Sequence, residues 1–118
     1  MDGVATSLSE FSLVYENEKQ LAKAYLSFVK DGGLFVELGE RHQQFRMGDE
    51  VSLSVLLPKD ETPSLVRGKV VWLSPQRSSV HGEAGIGVQF VGDKSHLRNR
   101  IETVLGQLLR SETPTSTM

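Results

Sequence analysis

Cysteine is absent from the sequence, which removes disulfides, thiolate metal sites and cysteine nucleophiles together and fits a reducing compartment. Arginine is absent from residues 1 to 40, so that stretch offers no planar guanidinium to grip a phosphate. No apolar run approaches the roughly 20 residues needed to cross a bilayer; "VSLSVLLP" is among the longest. The start, "MDGVATSLSEF", lacks the basic region and apolar stretch of a secretion signal. Charge of one sign is also missing: 13 basic residues stand against 15 acidic ones, a net of -2, so the molecule as a whole has no electrostatic reason to seek nucleic acid or anionic lipid. A soluble cytoplasmic protein is expected, and 118 residues suit one domain with one core.

What is present is period-two patterning. "FSLVY", from Phe11 to Tyr15, alternates as a half-buried strand does. Asn17 is placed to cap a short helix with Gln20 reaching back, and Leu21, Ala24, Tyr25 and Phe28 recur at helical spacing. Gly32 and Gly33 end that helix and open the strand "LFVEL", followed by "GERHQQ" as a polar connection. Val51, Leu53, Val55 and Leu57 alternate with serines up to Pro58. Leu65 to Pro75 reads as a long strand, with a bulge or a close backbone approach expected at Gly68. In "AGIGVQF", Ile86, Val88 and Phe90 share one face and Gly85 and Gly87 the other, where small residues let a neighbour pack close. From Asp93 the period changes: Leu97, Ile101, Val104, Leu105, Leu108 and Leu109 form one stripe of a long terminal helix. Short strands with glycine-rich turns suggest a small barrel that closes its own edges, plugged or flanked by that helix.

The segments "AYLSFVKDGGLFV", "MGDEVSLSVLLP", "RGKVVWLSP", "AGIGVQF", "RIETVLGQLL" and "PTSTM" together resemble, in order and spacing, the PilZ domain family, in its type IV pilus assembly branch. The resemblance runs from about Ser12 to Met118, and departs from the branch at Leu26 and Ser27, where methionine and proline are usual, and at Ser116, where a histidine is common. It implies a mainly β fold: a six-stranded PilZ-type β-barrel with a short N-terminal helical segment and a long C-terminal α-helix. Composition sets a flexible lead at 1–10 and a disordered tail at 111–118 on either side of the domain at 11–110, which carries most of the resemblance. The resemblance also implies a cytoplasmic adaptor for pilus biogenesis and twitching motility, recruited to the pilus machinery at the cell pole. Its partners would be the pilus assembly ATPase and an EAL-domain receptor for cyclic di-GMP, with no cofactor, no nucleic acid and no insertion into the membrane.

Most members of the family bind cyclic di-GMP, through an arginine-x-x-x-arginine element before the barrel and an Asp or Asn, x, Ser, x, x, Gly element on it. With Gly33 in the last place, the acid and serine places hold Phe28 and Lys30; with Gly32 there, they hold Ser27 and Val29. Neither register supplies the ligand groups, and the glycine pair reads as a tight turn requiring positive φ. Arg41 and Arg46 in "RHQQFR" lie after the glycines at the wrong spacing, as in a solvated basic loop. The expected protein therefore does not bind cyclic di-GMP, with a cyclic di-GMP receptor domain as the alternative. His42, His81 and His96 have no metal-ligand spacing, and no serine sits in a nucleophile context, so no metal or catalytic residue is assigned. A nucleic-acid-binding barrel would interleave aromatic and basic residues along a strand; these strands carry serines and valines.

The candidate contact residues are Tyr25, Phe28, Val29 and Trp72, with Pro114, Thr115 and Met118 of the tail as a docking peptide. Tyr25 and Phe28 either meet a partner or seal the barrel's open end. Trp72 either anchors a partner or packs in the core or at the barrel rim.

Overall fold

A computed structural model describes residues 9–74, 84–92 and 96–112. In chain order these form β1 (Ser9–Val14), α1 (Glu18–Ala24), β2 (Gly33–Glu37), a 3-10 helix (Gly39–Gln44), β3 (Glu50–Leu56), β4 (Ser64–Ser74), β5 (Gly85–Val91) and α2 (Leu97–Glu112). One mixed sheet has the order β1-β3-β4-β5-β2, with β1 parallel to β3 and every other pair antiparallel. The alternation seen in the sequence sets its faces. Val51, Leu53 and Val55 of β3, Val66 and Val70 of β4, and Ile86, Val88 and Phe90 of β5 fill the concave side, where Leu97 and Ile101 of α2 join them. Burying each of these side chains contributes about 2 kcal/mol before entropy is subtracted.

The expected closed six-stranded barrel is corrected here. Among the described residues there are five strands, and the sheet curls through 222° and stops with its edges 8 Å apart. The physical reason lies in the β1 to β2 connection. Among the described residues no further strand pairs with either edge; β1 is followed by α1, which sends Leu21 fully into the core. Its start is capped by the Asn17 side chain, which accepts from the Gln20 N–H at 2.9 Å, while Gln20 Oε1 accepts from the Glu16 N–H at 2.8 Å. The reach-back therefore lands one residue ahead of the cap.

Two boundaries move as well. β1 begins at Ser9, two residues before the expected strand. The first helix, expected to reach Phe28, ends at Ala24, because Tyr25 is already extended (φ -73°, ψ 130°) and bridges Leu34. Strand pairing with β2 captures the chain there: the Leu26 N–H donates to the Gly33 carbonyl at 2.9 Å. Apolar residues at helical spacing are satisfied by a helix of about two turns and then an extended segment.

Candidate functional site

The glycine corner joins that extended segment to β2. The Val29 N–H donates to the Leu26 carbonyl at 3.2 Å and the Gly32 N–H to the Val29 carbonyl at 2.8 Å. The chain then reverses through Asp31 (φ 67°) and Gly32 (φ 83°), the left-handed region that favours glycine. Gly33 has a different reason to lack a side chain. A Cβ there would stand 2.4 Å from the Val88 carbonyl oxygen of β5. Gln89 Nε2 completes the corner by donating to the Lys30 carbonyl at 2.8 Å.

Above the corner, the outer face of the sheet carries an aromatic row whose existence depends on one irregularity. The β4–β5 register shifts between Val70 and Trp72. Continued alternation from the buried Val66 and Val70 would point Trp72 into the core. The extra residue reverses the parity, so Leu73 turns inward beside Ile86 and Trp72 lies opposite Gly87 on the outer face. Gly87 makes room for it, since a Cβ would stand 2.9 Å from Trp72 Cβ and 3.1 Å from Leu26 Cδ1. Phe35, paired with Gly87 from the other side, brings its ring to 5.4 Å from Trp72. Phe28 then sits edge-on to Trp72 at 6.2 Å and 69°, an arrangement that aromatic quadrupoles favour. Leu26 beneath is 1 % exposed, whereas Phe28 is 75 % exposed. A small second core, lidded by a wet phenyl ring, thus lies outside the main one.

Charged groups flank this patch without entering it. The Tyr25 hydroxyl donates to Glu102 Oε2 of α2 at 2.6 Å, and Arg98 Nε lies 3.4 Å from the same carboxylate. Burial, and then the hydrogen bond to Glu102, push the Tyr25 hydroxyl up to about 12. Tyr25 and Glu102 in turn hold the Arg98 guanidinium above its usual value. The methylenes of Arg98 pass over Gly32, with Cγ 3.0 Å from where a Cβ would be. The guanidinium nearest the corner is thus already engaged on α2. Beside it a cleft of about 580 Å³ is lined by Asp31, Lys69, Gln89, His96, Arg98 and Asn99, with charges of both signs.

Of the residues singled out from sequence, Tyr25, Phe28, Val29 and Trp72 all fall on or beside this corner. Tyr25 and Phe28 do so from an extended segment and a turn, in place of the expected helix. Gly68 is the close approach and not the bulge: a Cβ there would strike Val88 Cγ1. Arg41 and Arg46 are exposed, and the Arg46 N–H donates to Asp49 Oδ2 at 2.9 Å. Among the described residues no group of three His, Cys, Asp or Glu side chains could hold a metal, and no helix is long and apolar enough to cross a membrane. His81, Pro114, Thr115 and Met118 lie outside the described residues. The sequence reading missed Leu26, Phe35 and Gly87 as parts of the patch. A glycine on the outer face of a strand was the available signal, and it was read without knowing which bulky neighbour it served.

The model of the PilZ domain family matches residues 9–107 of the chain. None of the curated proteins matches it significantly.

Proposed function

The chain belongs to the PilZ domain family, and on that premise we propose that it is a non-enzymatic adaptor of type IV pilus biogenesis and twitching motility. It meets its first partner, the pilus assembly ATPase, through the Phe28–Trp72 patch; an EAL-domain receptor for cyclic di-GMP is its second partner. One observation carries the reading. Where a nucleotide-binding member has its acid, five residues before the corner glycine, this chain presents Phe28, 75 % exposed and held edge-on against Trp72. An exposed ring kept in place by a neighbouring ring loses little side-chain freedom on binding, which suits a contact hot spot. The Lys30 place likewise offers a carbonyl already taken by Gln89.

The family match taken alone speaks for a second reading, a cyclic di-GMP receptor, and the cleft beside the corner is where that reading finds cations, Lys69 and Arg98. A clamp for two phosphates needs guanidinium groups free to turn toward them, whereas Arg98 is shared with Tyr25 and Glu102. Two measurements on the purified chain separate the readings. Calorimetry with cyclic di-GMP is expected to give no heat of binding, and gel filtration with the purified pilus assembly ATPase is expected to give a complex that Phe28→Ala abolishes. Micromolar nucleotide binding together with no complex would replace the first reading by the second.

A further inference from the structure

Three carbonyls of the corner are met by the main chain: that of Leu26 accepts from the Val29 N–H, that of Val29 from the Gly32 N–H, and that of Gly32 from the Phe90 N–H of β5 at 3.0 Å. The Lys30 carbonyl is held differently. Its donor is a side chain, Gln89 Nε2, at 2.8 Å, and Gln89 stands on the outer face of β5 between the inward Val88 and Phe90, paired with Gly33 of β2. The bond from Gly32 back to Val29 closes a β-turn with Lys30 and Asp31 at its centre. Asp31 has φ 67°, and Lys30 is not among the residues with positive φ, which makes the turn type II. That form favours glycine where Asp31 stands, and an aspartate in the left-handed region carries a steric cost.

The type I form would relieve that cost. It differs by a flip of the single peptide between Lys30 and Asp31, so it keeps the bond from Gly32 to Val29 and asks nothing of β2 or β5. It would also swing the Lys30 carbonyl away from Gln89. The carbonyl and N–H of a trans peptide point in opposite directions. With the carbonyl turned to Gln89 and the sheet, the Asp31 N–H therefore faces outward.

We infer that Gln89 is a positioning residue for the Phe28–Trp72 patch and sets what the patch recognises. Its amide donor selects the type II form against the preference of Asp31, so the corner that carries the phenyl ring shows a partner a main-chain N–H. The type I form would show a carbonyl instead. The partner segment that fits lays an apolar side chain on the rings and a carbonyl oxygen on the Asp31 N–H, and a segment offering a donor there is turned away. This rests on the reading of the patch as a docking surface. Gln89 acts through the turn and does not itself meet the partner.

The test pairs two variants with two measurements. Gln89→Met keeps an unbranched side chain and removes the donor, and adding Asp31→Gly supplies the residue that a type II turn takes without strain. In the chain alone, the intraresidue amide–Hα cross-peak of Asp31, strong at positive φ, is expected to fade in Gln89→Met. The ratio of type II to type I should fall about fivefold, the scale of one net hydrogen bond. Affinity for the purified pilus assembly ATPase should fall with the type II fraction, by about fivefold at most, and return to the parent's value in the double variant. An unchanged cross-peak in Gln89→Met would overturn the inference by itself. Affinity lost in Gln89→Met and not restored by the glycine would overturn it too, because a Gln89 that touched the partner, or only packed on the sheet, could not be replaced by a change at Asp31. A parent that forms no complex with the ATPase would overturn the docking reading and the partner's share of the inference, while the cross-peaks still decide the turn.

Discussion

The β4–β5 pair and the segment from Tyr25 to Gly33 meet across Gly87, and opposite rules hold them. In β4–β5, Val66, Val70, Ile86, Val88 and Phe90 are buried on one parity, and Gly68, Gly85 and Gly87 stand where a Cβ would strike a neighbouring side chain or strand. In the corner, one buried side chain, that of Leu26, carries a turn with two consecutive positive φ angles and an exposed phenyl ring. The first region leaves the chain no other way to pack. The second keeps apolar surface where burial alone would not put it, and such surface is what a partner can use.

Breaking the tighter region should have the largest effect. A Cβ on Gly85 would stand 2.1 Å from the Val36 carbonyl oxygen of β2 and 2.9 Å from Phe35 Cζ; neither backbone can retreat without opening the β2–β5 ladder. Gly85→Ala is expected to lower stability by about 3 kcal/mol, read as a fall in the urea midpoint at unchanged slope. A midpoint within error of the parent would mean that the sheet yields as easily as the corner does, and the contrast between them would disappear.

The same contrast separates what was legible in the sequence from what was not. Alternation placed β3, β4 and β5 and their buried residues, because a strand with one wet face must repeat every second residue. The stripe from Leu97 placed the inward face of α2 for the matching helical reason. Three things were hidden. Closure depends on whether the chain after β1 pairs as a strand or folds as α1, and Leu21, Ala24, Tyr25 and Phe28 carry a helical spacing that does not say where strand pairing will interrupt it. The outward turn of Trp72 depends on one unpaired residue between Val70 and Trp72, and a bulge leaves no residue type of its own to mark it. Burial of Leu26 and Phe35 on the outer face follows from that bulge, so it was out of reach too.

A middle-sized effect tests how the corner is tied to α2. Tyr25→Phe removes the hydroxyl that donates to Glu102 at 2.6 Å and is expected to cost about 1 kcal/mol at neutral pH. The sign of the pH dependence follows from the raised value. The folded protein holds the hydroxyl protonated up to about 12, against an ordinary value near 10 in the unfolded chain. The contribution is therefore fully present below pH 10 and is lost as pH rises toward 12. Comparing the two proteins across that window isolates Tyr25 from Tyr15, whose hydroxyl is also held above its usual range, by burial and then by Glu37. A parent and variant whose stabilities fall in parallel would show that the bond to Glu102 contributes nothing to the tie.

The smallest effect on stability should accompany a complete effect on binding. Phe28 is three-quarters exposed and its ring leans on Trp72 by one edge, so Phe28→Ala removes little buried area and is expected to change stability by about 0.5 kcal/mol or less. Loss of the ring also uncovers Trp72, whose fluorescence should shift to the red as water reaches the indole. If the ring serves only to seal the sheet's outer face, the variant will unfold at distinctly lower urea and its partner binding will fall in proportion to the unfolded fraction. If it serves contact, the urea curve will overlay the parent's while the complex with the pilus assembly ATPase is lost. The decision needs both curves from one preparation, because a patch that stabilises and binds would move both, and the structure assigns Phe28 too little burial for the first.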